Sequence, residues 1–212
     1  VKDFLNFIIK NNIELQKVGK KPSSVEIIGE AGLGKTSIVE QIAKENDLDF
    51  VKLNLSQIEE LGDLVGFPIR QFEMCTETEG SCMWIDEHAI HTYETQGYKF
   101  TGNKRMSYCP PAWIADKDSS KGGILLLDDW TRGDMRFIQA CMELIDRQEY
   151  ISWKLPKGWT VLLTSNPSGG TYMVNEIDTA QKTRFISIEM SFDKYAWAKW
   201  AEEAGLDGRC IN

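Results

Sequence analysis

Gly29, Gly34, Lys35 and Thr36 stand in the spacing G-x-x-x-x-G-K-[ST], inside the run Ile27-Ile28-Gly29-Glu30-Ala31-Gly32-Leu33-Gly34-Lys35-Thr36. Residues of these types in this order can hold phosphate. Glycines let the backbone curl until successive N–H groups face one point, and the start of a helix adds positive potential there. The residues expected around a nucleotide are therefore Gly29, Glu30, Ala31, Gly32, Leu33, Gly34, Lys35, Thr36 and Ser37. Lys35 would reach the β- and γ-phosphates, and the Thr36 hydroxyl would ligate Mg²⁺.

A phosphate loop needs an acid at the end of a neighbouring strand, where its carboxylate lies beside the phosphates. Two stretches compete for that place. Asp128-Asp129 follows Ile124-Leu125-Leu126-Leu127, and Asp86-Glu87 follows Cys82-Met83-Trp84-Ile85. Four branched aliphatics make the better central strand, so Asp128 is assigned to Mg²⁺ through water and Asp129 to polarising the attacking water. Asn166, at the end of a further apolar run, could hydrogen-bond the γ-phosphate or orient the same water. Arg184 precedes the last strand, and could neutralise transition-state charge on a neighbouring copy's nucleotide. An asparagine before proline is also a common turn former, and an arginine there could equally be a solvated surface residue.

The elements that must position these groups follow from periodicity. Val25 to Ile28 reads as a buried strand, and Ile38, Val39, Ile42 and Ala43 recur at helical spacing after the loop. Phe4, Leu5, Ile8 and Ile9 predict a short helix ended by Asn11 and Asn12. Val51, Leu53 and Leu55 alternate as a strand, and Ser56 with Glu59 forms a capping box for another helix. Ile138, Cys141, Met142 and Ile145 mark a helix face. Tyr150 to Trp159 reads as a hairpin turning near Pro156-Lys157-Gly158, ahead of a strand from Val161 to Thr164. Asp178 caps a short helix, and Phe185, Ile186 and Ile188 form the last strand. Trp197, Trp200, Ala201 and Ala204 fall on one helical face, stopped by Gly205. Strands alternating with helices argue for a mostly parallel sheet covered on both faces. Residues 69–121 show no regular pattern, and a stretch of that length is usually functional.

At 212 residues, 42% hydrophobic and 26% charged, the chain has the composition of a soluble globular α/β domain with part of a second. Its net charge of −8 gives no overall basic footprint for nucleic acid, although a local basic groove remains open. No apolar run is long enough to span a membrane and no signal peptide is visible, so a cytoplasmic protein without membrane contact is expected. Five scattered cysteines fit a reducing compartment better than a disulfide framework. The first residue is valine and the last are Cys210-Ile211-Asn212, so a piece of a longer protein is expected.

The order of these pieces resembles the AAA+ ATPases, and within them the MoxR-like branch that also contains dynein-related modules. Gly29 to Thr36 match Walker A, Leu125 to Asp129 Walker B, and Thr164 to Pro167 sensor 1. Gly62-Asp63-Leu64-Val65-Gly66 looks like that branch's DLVG segment, Leu155-Pro156-Lys157-Gly158-Trp159 like its hairpin before sensor 1, and Thr183-Arg184-Phe185 like its trans-acting arginine region. The resemblance spans residues 25–190. It implies a P-loop NTPase fold with a five-stranded parallel sheet of order 5-1-4-3-2. It implies a nucleotide-binding domain over 1–191, with an irregular insertion at about 69–121, and a truncated helical lid over 192–212 that packs Trp197 and Trp200 inside. It also implies ATP with Mg²⁺, self-assembly into a ring of six subunits, and a protein substrate or von Willebrand A-type partner. One departure is chemical: the family's usual Walker B glutamate is here Asp129, one methylene shorter.

Rival chemistries are visible. Cys75, Cys82, His88, His91 and Cys109 are zinc-ligand types, though no tight C-x₂₋₄-C pair occurs. Tyr98, Lys99, Lys104, Arg105 and Tyr108 could stack and grip a single strand of nucleic acid, as a replication-type ATPase would. Asn103-Lys104-Arg105-Met106 lacks the aspartate that an N-K-x-D guanine-reading motif requires. A scaffold that binds nucleotide with little turnover is a third class, kept open by Asp129.

Overall fold

The structure, a computed structural model, describes residues 1–76, 80–115, 121–168, 174–175 and 177–207. The terminal Cys210, Ile211 and Asn212 lie outside the described residues, as do parts of the 69–121 stretch. The chain divides into two compact units: residues 1–57, 119–138 and 157–212 form the first, and residues 58–118 with 139–156 the second.

The first unit is built on a parallel sheet. Its strands are β1 (Ser24–Ile28), β2 (Asp49–Asn54), β6 (Gly123–Asp128), β7 (Trp159–Ser165) and β8 (Phe185–Glu189). They pair in the order β2-β6-β7-β1-β8, which is the expected 5-1-4-3-2 arrangement read from the other edge. Register places Ile28 opposite Ser165, and Asn54 opposite Asp128, so these strands end along one carboxyl edge. Helices α1 (Lys2–Lys17) and α2 (Lys35–Glu45) cover one face. There Leu5, Ile8 and Ile9 pack in one cluster with Val39, Ile42, Val25, Ile27, Leu126 and Leu162. Strand β7 is buried along its whole length, as a central parallel strand must be.

The opposite face of β1 carries a carboxylate. Glu26 is 5% exposed. It accepts hydrogen bonds from the Trp130 indole N–H (2.9 Å) and the Ser187 hydroxyl (2.9 Å). The Trp130 ring meets Phe185 edge to face at 5.6 Å. These donors meet the requirement that a buried polar group be hydrogen-bonded.

Three local expectations are corrected. Helix α1 does not stop at Asn11 and Asn12 but runs on to Lys17. Asn12 is fully buried, its amide donating to the Ser23 carbonyl (2.8 Å) and the Thr160 hydroxyl (3.2 Å) while its Oδ1 accepts from the Ser23 N–H (2.8 Å). Its polarity is thus spent on tertiary contacts rather than on ending a helix. Ser56 starts no capping box. Its N–H and hydroxyl donate back to Asn54 Oδ1, in a 3₁₀ turn over Leu55–Gln57. The hairpin expected over residues 150–159 closes earlier, where the Tyr150 N–H donates to the Trp153 carbonyl and Glu149 bridges Lys154, while the turn expected at 156–158 is present at Lys157 and Gly158, with Gly158 at φ +84°. Asp178, by contrast, caps α7 (Thr179–Lys182) with a reciprocal pair to Gln181, as its sequence indicates.

The second unit accounts for the stretch that looked irregular. Strands β3 (Phe67–Thr76), β4 (Cys82–Asp86) and β5 (Tyr98–Cys109) make an antiparallel sheet of order β4-β3-β5. Around it lie short helices α3 (Gly62–Val65), α4 (Ile90–Thr95) and α5 (Ala112–Ala115). Few inward positions are filled by large apolar side chains, chiefly Phe72, Met74 and Ile85. Trp153 anchors the segment after helix α6 (Met135–Arg147): its indole donates to the Leu64 carbonyl (3.0 Å), and its ring meets Trp113 at 5.1 Å.

The antiparallel sheet engages the side chains behind two rival chemistries. Cys75 and Cys82 face each other across β3 and β4 and form a disulfide, so the expectation of unpaired thiols is corrected. That bond removes two candidate zinc thiolates, and among the described residues neither histidine joins a potential metal-ligand cluster. Arg105 lies over Trp84 (4.4 Å to the ring centroid) and donates twice to Gln71 Oε1. Lys104 lies over Phe72.

Replacing Asn12 by Ala should strand the Ser23 N–H and the Thr160 hydroxyl in the core and cost about 1–3 kcal/mol. A urea titration reads this as a lower midpoint with unchanged slope; an unchanged midpoint would show that the asparagine is not structural.

Candidate functional site

The loop from Gly29 to Gly34 connects β1 to α2, and its glycines have steric reasons to be there. A Cβ on Gly29 would lie 2.6 Å from the Met190 carbonyl oxygen, and Gly34 caps α2 in the left-handed region at φ +82°. Gly29 is fastened by its N–H to the Ser165 carbonyl at 3.2 Å. Helix α2 therefore begins at the carboxyl edge of the sheet, with its N–H groups facing the loop.

Lys35 is buried and folds back over this loop. Its ammonium donates to the Gly29 carbonyl (2.7 Å), the Glu30 carbonyl (2.9 Å) and Asn166 Oδ1 (3.2 Å). Burial pushes its pKa below the ordinary lysine value, opposed by the nearby charges of Asp129 and Asp128 and reinforced by Arg132.

Asp128 ends β6 beside that helix. Its Oδ1 accepts from the Thr36 hydroxyl (2.9 Å) and the Thr164 hydroxyl (2.6 Å), and Lys52 Nζ lies 4.0 Å from Oδ2. Thr164 in turn accepts the Asp129 backbone N–H (3.0 Å). Asp129 leaves the strand in a left-handed conformation, φ +51°, which aspartate tolerates better than most residues. Its Oδ1 accepts from Asn166 Nδ2 at 3.3 Å. Asn166, buried after the end of β7, thus bridges Lys35 and Asp129.

These groups line one cavity of about 360 Å³ together with Ala31, Gly32, Gly34 and Ser37. Glu30 is exposed and contributes its carbonyl. Leu33 belongs instead to a neighbouring cavity of about 530 Å³, between the start of α2 and helix α8 (Lys194–Glu203). Trp197 and Trp200 line that cavity and are 36% and 52% exposed, so they are not packed inside the helical segment as the resemblance implied.

The two competing acid pairs lie in different units. Asp86 ends β4 in the antiparallel sheet of the second unit, whereas Asp128 and Asp129 stand beside Thr36 and Lys35 in the first. Arg184 stands apart. It precedes β8, and Ser24 pairs with Phe185, so Arg184 lies at the amino edge of the sheet. The four residue steps of β1 from that edge to Ile28 amount to about 13 Å. Two members of the site were given no role of their own in the sequence, although Thr164 begins the stretch matched to sensor 1. Arg132 lines the phosphate-side cavity from a 3₁₀ turn three residues after Asp129, and Thr164 holds both Asp128 and the Asp129 backbone. Arg132 had no periodic signal. Thr164 could have been found, because a threonine inside an all-buried strand needs a polar partner.

The donor set is oxygen only, a hydroxyl and carboxylates beside a loop of N–H groups, and it suits a hard cation such as Mg²⁺ held jointly with phosphate oxygens. Fold and site together define the P-loop NTPase class, a five-stranded parallel sheet flanked by helices with the glycine-rich loop at its carboxyl edge. Residues 25–107 match the model of the ATPase family associated with various cellular activities (AAA). No curated protein matches the chain. Among solved structures it is similar to a provisionally assigned ATPase of Cytophaga hutchinsonii, with a TM-score of 0.56 and 18% identity, covering 96% of this chain and 50% of that one. It is also similar to a point mutant of Thermotoga maritima RuvB, with a TM-score of 0.53 and 16% identity over 96% of this chain and 51% of that one. The Thermotoga maritima RuvB Holliday junction branch migration motor gives 0.51 and 16%, over 94% and 50%. The chain spans about half the length of these proteins.

A methyl group at Gly29 must displace Met190 or the loop. Gly29→Ala is expected to destabilise the protein by about 1–3 kcal/mol, seen as a lower thermal midpoint in circular dichroism. An unaltered midpoint would mean that the loop gives way without cost.

Proposed function

We propose that this chain is the ATP-binding and ATP-hydrolysing module of an AAA+ ring of the MoxR-like branch, which remodels or activates a partner protein. The observation that carries this reading is the meeting of Lys35, Thr36, Asp128, Asp129 and Asn166 on one cavity at the carboxyl edge of the sheet. Residues 1–191 act as the nucleotide-binding domain and 192–212 begin a lid.

Each group then has a task. The loop N–H groups and Lys35 hold the β- and γ-phosphates, giving up part of the lysine's contacts to backbone carbonyls. The base lies in the larger cavity by Leu33, with Trp197 available to its flat face. Thr36, and Asp128 through water, would hold Mg²⁺, which would supply neutralisation of the phosphate charge. Asp129 takes the proton side of the attacking water, and Asn166 orients that water against the γ-phosphate. Arg184, at the far edge of the sheet, serves the nucleotide of the adjacent subunit. The ring has six subunits by its family resemblance, works in the cytoplasm and takes a protein substrate or von Willebrand A-type partner.

Three variants separate these tasks. Lys35→Ala should lose both nucleotide binding and turnover. Asp129→Asn should keep binding and lose turnover. Arg184→Ala should keep binding while turnover in the assembled state falls by about 10³-fold or more. Phosphate release and fluorescent-nucleotide binding, measured on the same samples, read all three. Normal hydrolysis by assembled Arg184→Ala protein would remove the inter-subunit role.

A pH dependence follows from Lys35. Its folded value is lowered, so in the free protein it loses its proton at a lower pH than an ordinary lysine does. Bound phosphates favour the charged form and raise the value again. Between the two values binding takes up a proton, so affinity for Mg·ATP should weaken as pH rises through the lowered value. Calorimetric titration in two buffers of different ionisation heat detects that proton. Absence of any uptake across the alkaline range would show that Lys35 is already charged before phosphate arrives, and would remove this source of pH dependence.

A further inference from the structure

The cavity of about 530 Å³ beside the phosphate loop has a polar group with a fixed sense on its wall. Ser37, Ile38 and Gln41 face this cavity from α2, at the i, i+1 and i+4 spacing of one helix side, and Trp197 and Trp200 face it from α8. Gln41 stands six residues beyond Lys35 on α2, about 9 Å along the helix, which leaves room for a sugar between phosphates at the loop and a base at Gln41. Its Nε2 donates to Glu45 Oε1 (2.9 Å), and the same oxygen pairs with Lys2 Nζ at 2.7 Å. The hydrogen bond from Lys2 holds the Glu45 carboxyl below the usual carboxylate range, so at neutral pH Glu45 is ionised and can only accept. The Gln41 amide therefore turns its nitrogen to Glu45, and its oxygen accepts no hydrogen bond from the described residues. Asp193, the carboxylate on the facing wall, spends Oδ1 on the Tyr195 and Ala196 N–H groups that open α8. Gln41 thus offers the cavity an acceptor whose orientation is set by the charges behind it.

We propose that Gln41 selects the base: its Oε1 accepts the 6-amino group of adenine, and Glu45 fixes the amide in the sense that turns away the 6-oxo group of guanine. The proposal rests on the reading that the base lies in this cavity, and adds the residue that tells one purine from the other. At this edge adenine offers a donor and guanine an acceptor, so one oxygen serves the first and repels the second. Trp197 cannot make that distinction, because an aromatic face stacks on any base. A glutamine by itself would not make it either, since an unheld amide can turn its nitrogen to guanine. The pairing of Glu45 with Lys2, which reaches across from α1, removes that choice. Glu45 is thus a positioning residue that does not meet the nucleotide.

The test compares three nucleotides: ATP, GTP and purine riboside triphosphate, which lacks the 6-amino group. Displacement of a ribose-labelled fluorescent nucleotide gives each dissociation constant. The unaltered protein should prefer ATP to either of the others by about tenfold, the worth of one such hydrogen bond. Gln41→Met keeps length and helix propensity without the amide, and should bind all three alike. Glu45→Ala leaves the glutamine in place but lets it turn. It should lose the preference for ATP over GTP and keep the preference over purine riboside triphosphate, a split that a merely structural role would not produce. Trp197→Ala should weaken all three nucleotides together if the base lies in this cavity. Equal affinities in the unaltered protein, or an unchanged preference for ATP in Gln41→Met, overturn the proposal; weakening by Trp197→Ala then leaves the place of the base standing. If neither variant alters any affinity while Lys35→Ala abolishes binding, the base lies elsewhere and the proposal falls with that reading. An unchanged preference over GTP in Glu45→Ala overturns the part given to Glu45. Binding of none of the three overturns the nucleotide reading and the proposal alike. Should Gln41→Met fail to fold, Gln41→Ala carries the same comparison.

Discussion

One carboxylate oxygen ties the nucleotide site together. Asp128 Oδ1 receives the hydroxyls of Thr36 and Thr164, which arrive from the first turn of α2 and from β7. The loop that would embrace phosphate, the strand that carries the acids and the strand that ends in Asn166 are thereby held at fixed separations. Charge-assisted hydrogen bonds of this kind are stronger than neutral ones, and here they substitute for loop rigidity. Thr164 extends the linkage by holding the Asp129 N–H, so the two acids are positioned by the same side chain. Without these bonds the acids would depend on a backbone that has just left its strand.

The parallel sheet imposes the rest. Its strands end along a common edge, so chemistry from residues 29–37, 128–129 and 166 meets there although the chain separates them widely. The opposite edge collects the segments that precede strands, and that is where Arg184 and Lys21 line one cavity. The two ends of β1 thus open on two different cavities. A central carboxylate, Glu26, is buried midway between them, and its hydrogen bonds to Trp130 and Ser187 join β1 to the turn after β6 and to β8.

The first unit was legible because burial writes itself into composition. Val25 to Ile28, Ile124 to Leu127 and Val161 to Thr164 are continuous buried runs, and Gly34-Lys35-Thr36 can do little else between such a strand and a helix. The second unit was not, because its sheet buries few large apolar side chains. On β5, Lys99, Lys104 and Arg105 give a polar reading that hides the strand. Polar residues misled in the first unit too. Asn12 looked like a helix stop and is a core hydrogen-bonding residue, and Ser56 looked like a cap and bonds backward to Asn54. In each case a tertiary or local partner claimed a group whose type suggested a boundary. Arg132 escaped notice for a related reason: only the 3₁₀ turn after Asp129 brings it round to the cavity, and that turn has no periodic signature.

The backbone at Asp129 gives the shorter acid a reason of its own. At φ +51° the residue sits where short polar side chains are tolerated and longer ones are less at ease. Exchanging it for glutamate would lengthen the arm and at the same time strain the joint from which it swings. Reach and posture are therefore set together at this position. The Thr164 hydroxyl holds this residue by its backbone N–H, an anchorage that a longer side chain would keep, so the strain of such an exchange would fall on the turn from Trp130 to Arg132 that follows.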